Sequence, residues 1–373
     1  MENTLMTKYR IICCTILLST LVTCTAFRAA AAATSPAYHV TDLGTQGGTS
    51  SQGYGINAGG QVTGGSSVTS VTGVTALQAF VWTPTTPNGA SGTMHDLGTL
   101  GGRQSVGSVI NASGQVAGYF AGFFATTGGA TAHAFLWTPT TPNGDNGTVL
   151  DLGTFGGRES YAFGINDSGQ VTGRSDTPVD TRAFLYDGTM HDLGALGRFG
   201  SFGQGINASG QVTGNSFLTG NAGQHAILWI PTTPNGTSGV MHDIGTLGGA
   251  YSSGVGINAS GQVAGWSYLT GDAAEHAFLY TSGSGMVDLN SLIDPLSGWE
   301  LIYANAINDV GQITGYGTID GKPRAYLLTP VPEPASLALL ALGLPLLVGR
   351  NLRRSGSGGT RGAHLPMTDL LKL

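Results

Sequence analysis

The sequence predicts an all-β chain of repeated four-stranded units, and three observations carry that prediction. An Ile-Asn-x-x-Gly-Gln motif recurs six times, starting at Ile56, Ile110, Ile165, Ile206, Ile257 and Ile307. Each copy is followed by a short β-prone run such as His133-Ala134-Phe135-Leu136-Trp137. No repeat carries a helical period. Four short strands every 41 to 55 residues is the pattern of a β-propeller blade. The expected fold is therefore a six-bladed β-propeller across residues 38–330, one blade per repeat.

The first element, residues 1–33, is a leader. Lys8 and Arg10 precede an apolar run from Ile11 to Val22 and an Ala-rich exit that ends at Ala33. This order reads as a secretory signal peptide. Leu21-Val22-Thr23-Cys24 is a loose lipoprotein box, which makes lipidation the alternative. All three cysteines, Cys13, Cys14 and Cys24, fall in this leader. The exported chain is then expected to hold no disulfide and no thiolate chemistry.

Within a repeat, the second is representative. Val106 to Ile110 reads as a strand, Asn111-Ala112-Ser113-Gly114 as a turn and Gln115 to Gly118 as the return strand, because Asn starts turns through its side chain and Gly takes the left-handed position. His133 to Trp137 is a third strand, apolar on both faces as expected where blades stack, and Val149-Leu150-Asp151-Leu152-Gly153 is a fourth. In the third repeat Asp187-Gly188 predicts a two-residue hairpin between the last two strands. The Pro-Thr-Thr-Pro-Asn-Gly inserts of repeats one, two and four are then extensions of that hairpin tip. The sixth repeat has no Asp-Leu-Gly strand, whereas a spare one, Tyr38 to Gly44, stands at the start. The N-terminal strand is expected to complete the sixth blade and close the ring.

The C-terminal elements are an address. Pro332-Glu333-Pro334 is followed by the apolar stretch Ala335 to Val348 and by Arg350, Arg353 and Arg354. Residues 331–354 resemble the PEP-CTERM sorting segment, in which a Pro-Glu-Pro motif, a short membrane helix and an Arg cluster are recognised by exosortase. The resemblance implies exosortase as a processing partner and an outer-surface or matrix location after transient inner-membrane anchoring. Fourteen residues make about 21 Å of helix against a hydrocarbon core of ~30 Å, which suits a transient stop. An ordinary C-terminal anchor is the alternative. Residues 355–373 continue past the point where that signal normally ends.

Triplets such as His133-Ala134-Phe135 and His276-Ala277-Phe278, with Asp-Leu-Gly-Thr-Leu-Gly-Gly and Ile-Asn-x-x-Gly-Gln, resemble the extracellular HAF-repeat family. That resemblance covers about residues 38–334. It implies an exported surface protein of no assigned enzymatic activity and supplies no catalytic residues.

Charge excludes one class of partner. Residues 34–331 hold seven Lys and Arg against eighteen Asp and Glu, a net charge of −11, which disfavours nucleic acid. The repeated histidines would lie about one blade apart, too far to share a metal ion, so they are expected to tie strand to strand. No metal, cofactor or catalytic residue is expected. Asp167 and Asp309 match calcium loops and sialidase boxes poorly.

Function is expected in what does not repeat. The variable face would carry Arg103, Arg158, Glu159 and Arg198 from the connections between blades. Phe123, Phe124, Asp176, Asp180, Asp272 and Glu275 would join them from the loops between second and third strands. Such a set could hold a sugar or a peptide. The leading expectation is a non-catalytic adhesion or scaffolding protein that contacts exopolysaccharide or other surface proteins. An exopolysaccharide-binding module is the alternative, and a glycan hydrolase or lyase comes third.

Overall fold

The computed structural model describes residues 41–69, 75–99, 102–124, 129–221 and 223–330. Each repeat forms an antiparallel meander. β1 (Ser51–Ile56), β2 (Val62–Thr69), β3 (Thr75–Pro84) and β4 (Gly92–Gly98) pair in chain order, as do β5 (Gln104–Ile110), β6 (Val116–Phe124), β7 (Gly129–Pro139) and β8 (Gly147–Gly153). The third sheet is β9 (Ser160–Ile165), β10 (Val171–Asp176), β11 (Thr181–Tyr186) and β12 (Met190–Asp192). The fourth repeat supplies β13 (Ser201–Ile206), β14 (Val212–Phe217), β15 (Gln224–Pro231) and β16 (Gly239–Gly245). The fifth supplies β17 (Gly248–Ile257), β18 (Val263–Leu269), β19 (Glu275–Thr281) and β20 (Gly285–Asp288). A lone parallel bridge, Gln224 to Tyr251, joins β15 to β17. The last sheet, β21 (Trp299–Ile307), β22 (Ile313–Ile319) and β23 (Lys322–Leu328), has three strands.

The chain divides into two compact units. The first contains the first three sheets, the second contains the last two, and the strands of the fourth are shared between them.

The recurring motif is a turn and a joint at once. In the third repeat Asn166 Oδ1 accepts from the amides of Ser168 and Gln170 at 3.1 and 3.0 Å, while Gly169 takes a φ of +79°. That is the side-chain-directed turn expected of Asn before Gly. The other end of the same side chain reaches onward. Asn57 Nδ2 donates to the carbonyl of Asn111 at 3.0 Å, Asn111 Nδ2 to that of Asn166 at 3.1 Å, and Asn166 Nδ2 to that of Asn207 at 3.2 Å. In the second unit Asn258 Nδ2 reaches the carbonyl of Asn308 at 3.2 Å. Asp167 and Asp309 cap the preceding turn through the amides of Ala112 and Ala259 at 2.9 and 2.8 Å, which gives both a structural role.

The third strands of the first four repeats are buried on both faces, and the core shows why. Phe135 and Trp137 pack with Ala79 and Val81 of the first sheet, whereas Ala134 and Leu136 pack with Ile165 and Phe184 of the third. Alternate residues of β7 thus serve different cores, so no polar face survives in the sequence. In the second unit Ala277 and Leu289 pack in the same way with Leu301, Ile307 and Tyr326.

A serine repeats this linkage in hydrogen bonds. Ser105, Ser160, Ser201 and Ser252 Oγ accept from the amides of Ala79, Ala134, Ala183 and Ala226 at 2.7 to 2.9 Å. Each also donates to the Gly carbonyl that ends the preceding Asp-Leu-Gly or Asp-Ile-Gly strand.

Two expectations change. Thr41–Gly44 forms no strand, and the last sheet lacks a fourth strand among the described residues. The N-terminal Asp-Leu-Gly nevertheless keeps its local geometry, because Gly44 N donates to Asp42 at 2.9 Å and Ser51 Oγ donates to Gly44 O at 2.7 Å. The turn is encoded locally, whereas the strand needs a partner. In the third repeat Tyr186 pairs with Met190, so the hairpin loop has three residues, Asp187 to Thr189, rather than two. Thr189 leaves the ladder to bond His191 Nε2 at 2.9 Å, which also contacts Asp187. The signal peptide, Tyr38–Val40 and the whole C-terminal segment lie outside the described residues. Among the described residues no helix is long and apolar enough to cross a membrane.

Candidate ligand-facing surface

The side chains that vary most in chemistry sit on the most regular strands. On each second strand a glycine precedes one variable residue. A Cβ at Gly118, Gly173 or Gly265 would stand 1.9 to 2.0 Å from the facing first-strand carbonyl, so the strands approach closely there. The residue after that glycine is Gly65, Tyr119, Arg174, Asn215, Trp266 and Tyr316 in successive repeats. A matching first-strand position, four residues before the motif's Ile, carries Gln52, Val106, Tyr161, Phe202, Ser253 and Tyr303.

In the first unit these columns build an aromatic cluster around one cation. The Tyr119 and Tyr161 rings are 4.9 Å apart, and Tyr161 stacks on Phe163 at 6.2 Å. The Arg174 guanidinium lies 4.6 Å from the Tyr161 ring centre and 5.7 Å from that of Phe202. Glu159 completes the group, accepting from the Tyr161 hydroxyl at 3.2 Å and standing 4.0 Å from Arg174. Burial, then the Glu159 charge and its hydrogen bond, push the Tyr161 phenol above its ordinary value, so the hydroxyl stays a donor.

The second unit holds a counterpart. Trp266 lies 5.4 Å from Tyr303 and 6.0 Å from Tyr268, while Tyr303 stacks on Tyr316 at 5.0 Å. The Glu275 carboxylate acts on both Tyr268 and Tyr303 and favours their protonated phenols. Burial first, then Glu275, raises the Tyr303 phenol far above the usual range. Half-buried rings with hydroxyl edges, one carboxylate and one guanidinium suit a ligand with apolar faces and hydroxyl rims.

Of the loop residues expected to form a ligand face, Glu159 joins the first aromatic cluster and Glu275 the second. Arg103 and Arg158 precede β5 and β9, and Arg198 is exposed before β13. Phe123 and Phe124 end β6, with side chains outside what is described. The three aspartates make local bonds: Asp176 accepts from Thr181 at 2.9 Å, Asp180 pairs with Arg182 at 2.7 Å, and Asp272 accepts from the amide of Ala250 at 2.8 Å. The aromatic columns are legible only once the six copies are aligned on the Ile-Asn motif, which turns a scatter of Tyr and Trp into two fixed positions.

The histidines hold strands together. His133, His225 and His276 Nδ1 contact Asp151, Asp243 and Asp288 of the neighbouring fourth strand at 3.0, 2.9 and 2.6 Å. In the third sheet Arg182 takes that place, 3.6 Å from Asp192. Among the described residues no three His, Cys, Asp or Glu side chains converge as a metal site. The sorting residues Pro332, Glu333 and Pro334 lie outside the described residues, but residues 330–355 match the family model described as the PEP-CTERM protein-sorting motif.

The chain is exported and sorted by exosortase. That motif places it at the cell surface or in the extracellular space. No curated protein matches the chain. Among solved structures it is similar to the β-propeller domain of the Trilobed protease from Pyrococcus furiosus, with 9% identity over 75% of this chain and 82% of that one, at a TM-score of 0.46.

Proposed function

We propose that the exported chain is a non-catalytic surface or matrix protein that serves adhesion or scaffolding, with each repeat one blade of a six-bladed propeller of the HAF-repeat kind. The sorting motif at residues 330–355 carries the reading. In this reading residues 1–33 are removed as a signal peptide and the apolar segment after Pro334 anchors the chain only until exosortase acts.

A second reading, binding of exopolysaccharide, is favoured by the two aromatic clusters, whose rings could stack on pyranose faces. Cell fractionation tests the first reading. Replacing Pro332, Glu333 and Pro334 by Ala should shift the protein from the surface or matrix fraction to the membrane fraction. An unchanged distribution would refute sorting through this motif. Polysaccharide pull-down with Tyr161→Ala and Trp266→Ala tests the second, with weaker retention expected. Release of oligosaccharides by the native protein would contradict both.

A further inference from the structure

The two aromatic clusters are built on the same pair of columns, and they differ in one charge. In the third repeat the second-strand position holds Arg174, paired across the ladder with Tyr161. Its guanidinium lies over the Tyr161 ring at 4.6 Å, and Glu159 stands 4.0 Å away. The first cluster thus carries its own cation, seated by an aromatic face and a carboxylate. In the second cluster the corresponding positions are Trp266, paired with Ser253, and Tyr316, paired with Tyr303. Both are rings, so neither position supplies a positive charge.

The carboxylate is kept. Glu275 pairs with Tyr268 across β18 and β19, and Ala277 pairs with Trp266, so Glu275 lies on the same sheet face as both rings. Trp266 meets Tyr268 edge-on at 83° and Tyr303 at 39°, which gives the cluster a corner rather than a flat platform. Tyr251 extends the wall, 5.9 Å from Tyr268. The electrostatics differ in the same sense. At Tyr161 burial and Glu159 raise the phenol while Arg174 opposes them. At Tyr268 Glu275, then burial and Asp272, all raise it, and at Tyr303 burial leads and Glu275 adds to it. The negative ring faces and the Glu275 carboxylate therefore act in one direction, and both attract a cation.

We propose that the second cluster binds an ammonium group, the protonated amine of a de-N-acetylated amino sugar, with Trp266 and Tyr303 offering ring faces and Glu275 the countercharge. The site takes from its ligand the charge that the third repeat supplies as Arg174. This assignment deepens the polysaccharide-binding reading and rests on it. The acidic character of the chain fits, since seven Lys and Arg against eighteen Asp and Glu over residues 34–331 draw in a cationic polymer and repel an anionic one. Acetylation of the amine removes the charge and leaves the pyranose face, so it separates cation recognition from ring stacking.

Isothermal titration calorimetry of the full chain with the glucosamine disaccharide and with its N-acetylated counterpart tests this, at about pH 6, where amines are charged and carboxylates ionised. The charged disaccharide should bind roughly tenfold more tightly. Glu275→Gln should remove that preference. Trp266→Leu, which keeps apolar bulk but removes the ring, should weaken the charged sugar, and melting curves check that each variant is folded. Equal affinity for the two sugars would overturn the ammonium site and leave carbohydrate binding standing. A preference unchanged in both variants would place the amine elsewhere and overturn it as well. Binding of neither disaccharide also overturns it, while the polysaccharide pull-down still decides the broader reading on its own.

Discussion

The second sheet and the last sheet are built from the same pattern and differ in what covers them. Ala134 and Leu136 are 0% and 8% exposed because the third sheet lies on them, whereas Ala325 is exposed and Leu327 is 62% exposed. The sequence at the two sites is nearly interchangeable, so burial here is supplied by the neighbouring repeat. Stability in a stacked array is accordingly a sum over junctions, and a side chain is worth what its junction contributes. Substitution at matched positions exposes the contrast. Leu136→Ala should cost about 2–5 kcal/mol through lost burial and a residual cavity. Leu327→Ala should stay within about 0.5 kcal/mol in the isolated chain. Thermal unfolding of the two variants side by side checks this, and equal shifts would show that the last sheet's face is covered after all.

The turn motif offers a finer comparison. Asn166 is 4% exposed and bonds the amides of Ser168 and Gln170, Gln170 Oε1 and the carbonyl of Asn207. Asn308 makes the turn and its bond to Gln312 but sits in solvent. Asn166→Ala leaves buried amides unpaired and should cost about 1–3 kcal/mol, while water can replace the lost bonds at Asn308→Ala for less than about 1 kcal/mol. Urea unfolding midpoints would separate the two, and a large loss at Asn308 would mean that its amide has a buried partner.

Much of the meander was legible because it rests on local chemistry. Asn followed by Gly three residues later specifies the inner hairpin wherever it occurs, and the unbroken apolar run of β7 announces burial on both faces. The serine bond to a preceding alanine was not legible, since one hydroxyl among many carries no periodic signal. Thr41–Gly44, the described part of the expected N-terminal strand, forms no strand for a related reason. Asp42-Leu43-Gly44 specifies its own turn, but a strand exists only where another backbone accepts its hydrogen bonds. Among the expected loop residues Asp180 finds a local partner in Arg182, whereas Glu159 stands against the Tyr161 hydroxyl. Aromatics on adjoining strands are instead brought together by the ladder itself.

The smallest effect lies in the strand-to-strand ion pairs, and pH separates it from packing. Burial raises the Asp151 carboxyl, but the His133 hydrogen bond, the Gly153 amide and the His133 charge outweigh it, so the group ends below its ordinary 3.8. A depressed carboxyl contributes stability that is present above the unfolded value of 3.8 and is lost as pH falls through the folded one. Asp151→Asn should therefore remove part of the acid-induced loss below about pH 4 and cost at most about 1 kcal/mol at neutral pH, because the pair is partly solvated. Melting temperatures of the native chain and the variant, followed from neutral to acid pH, give the reading. Parallel curves would show that the carboxylate acts only as an acceptor for Gly153, a role an amide oxygen fills equally well.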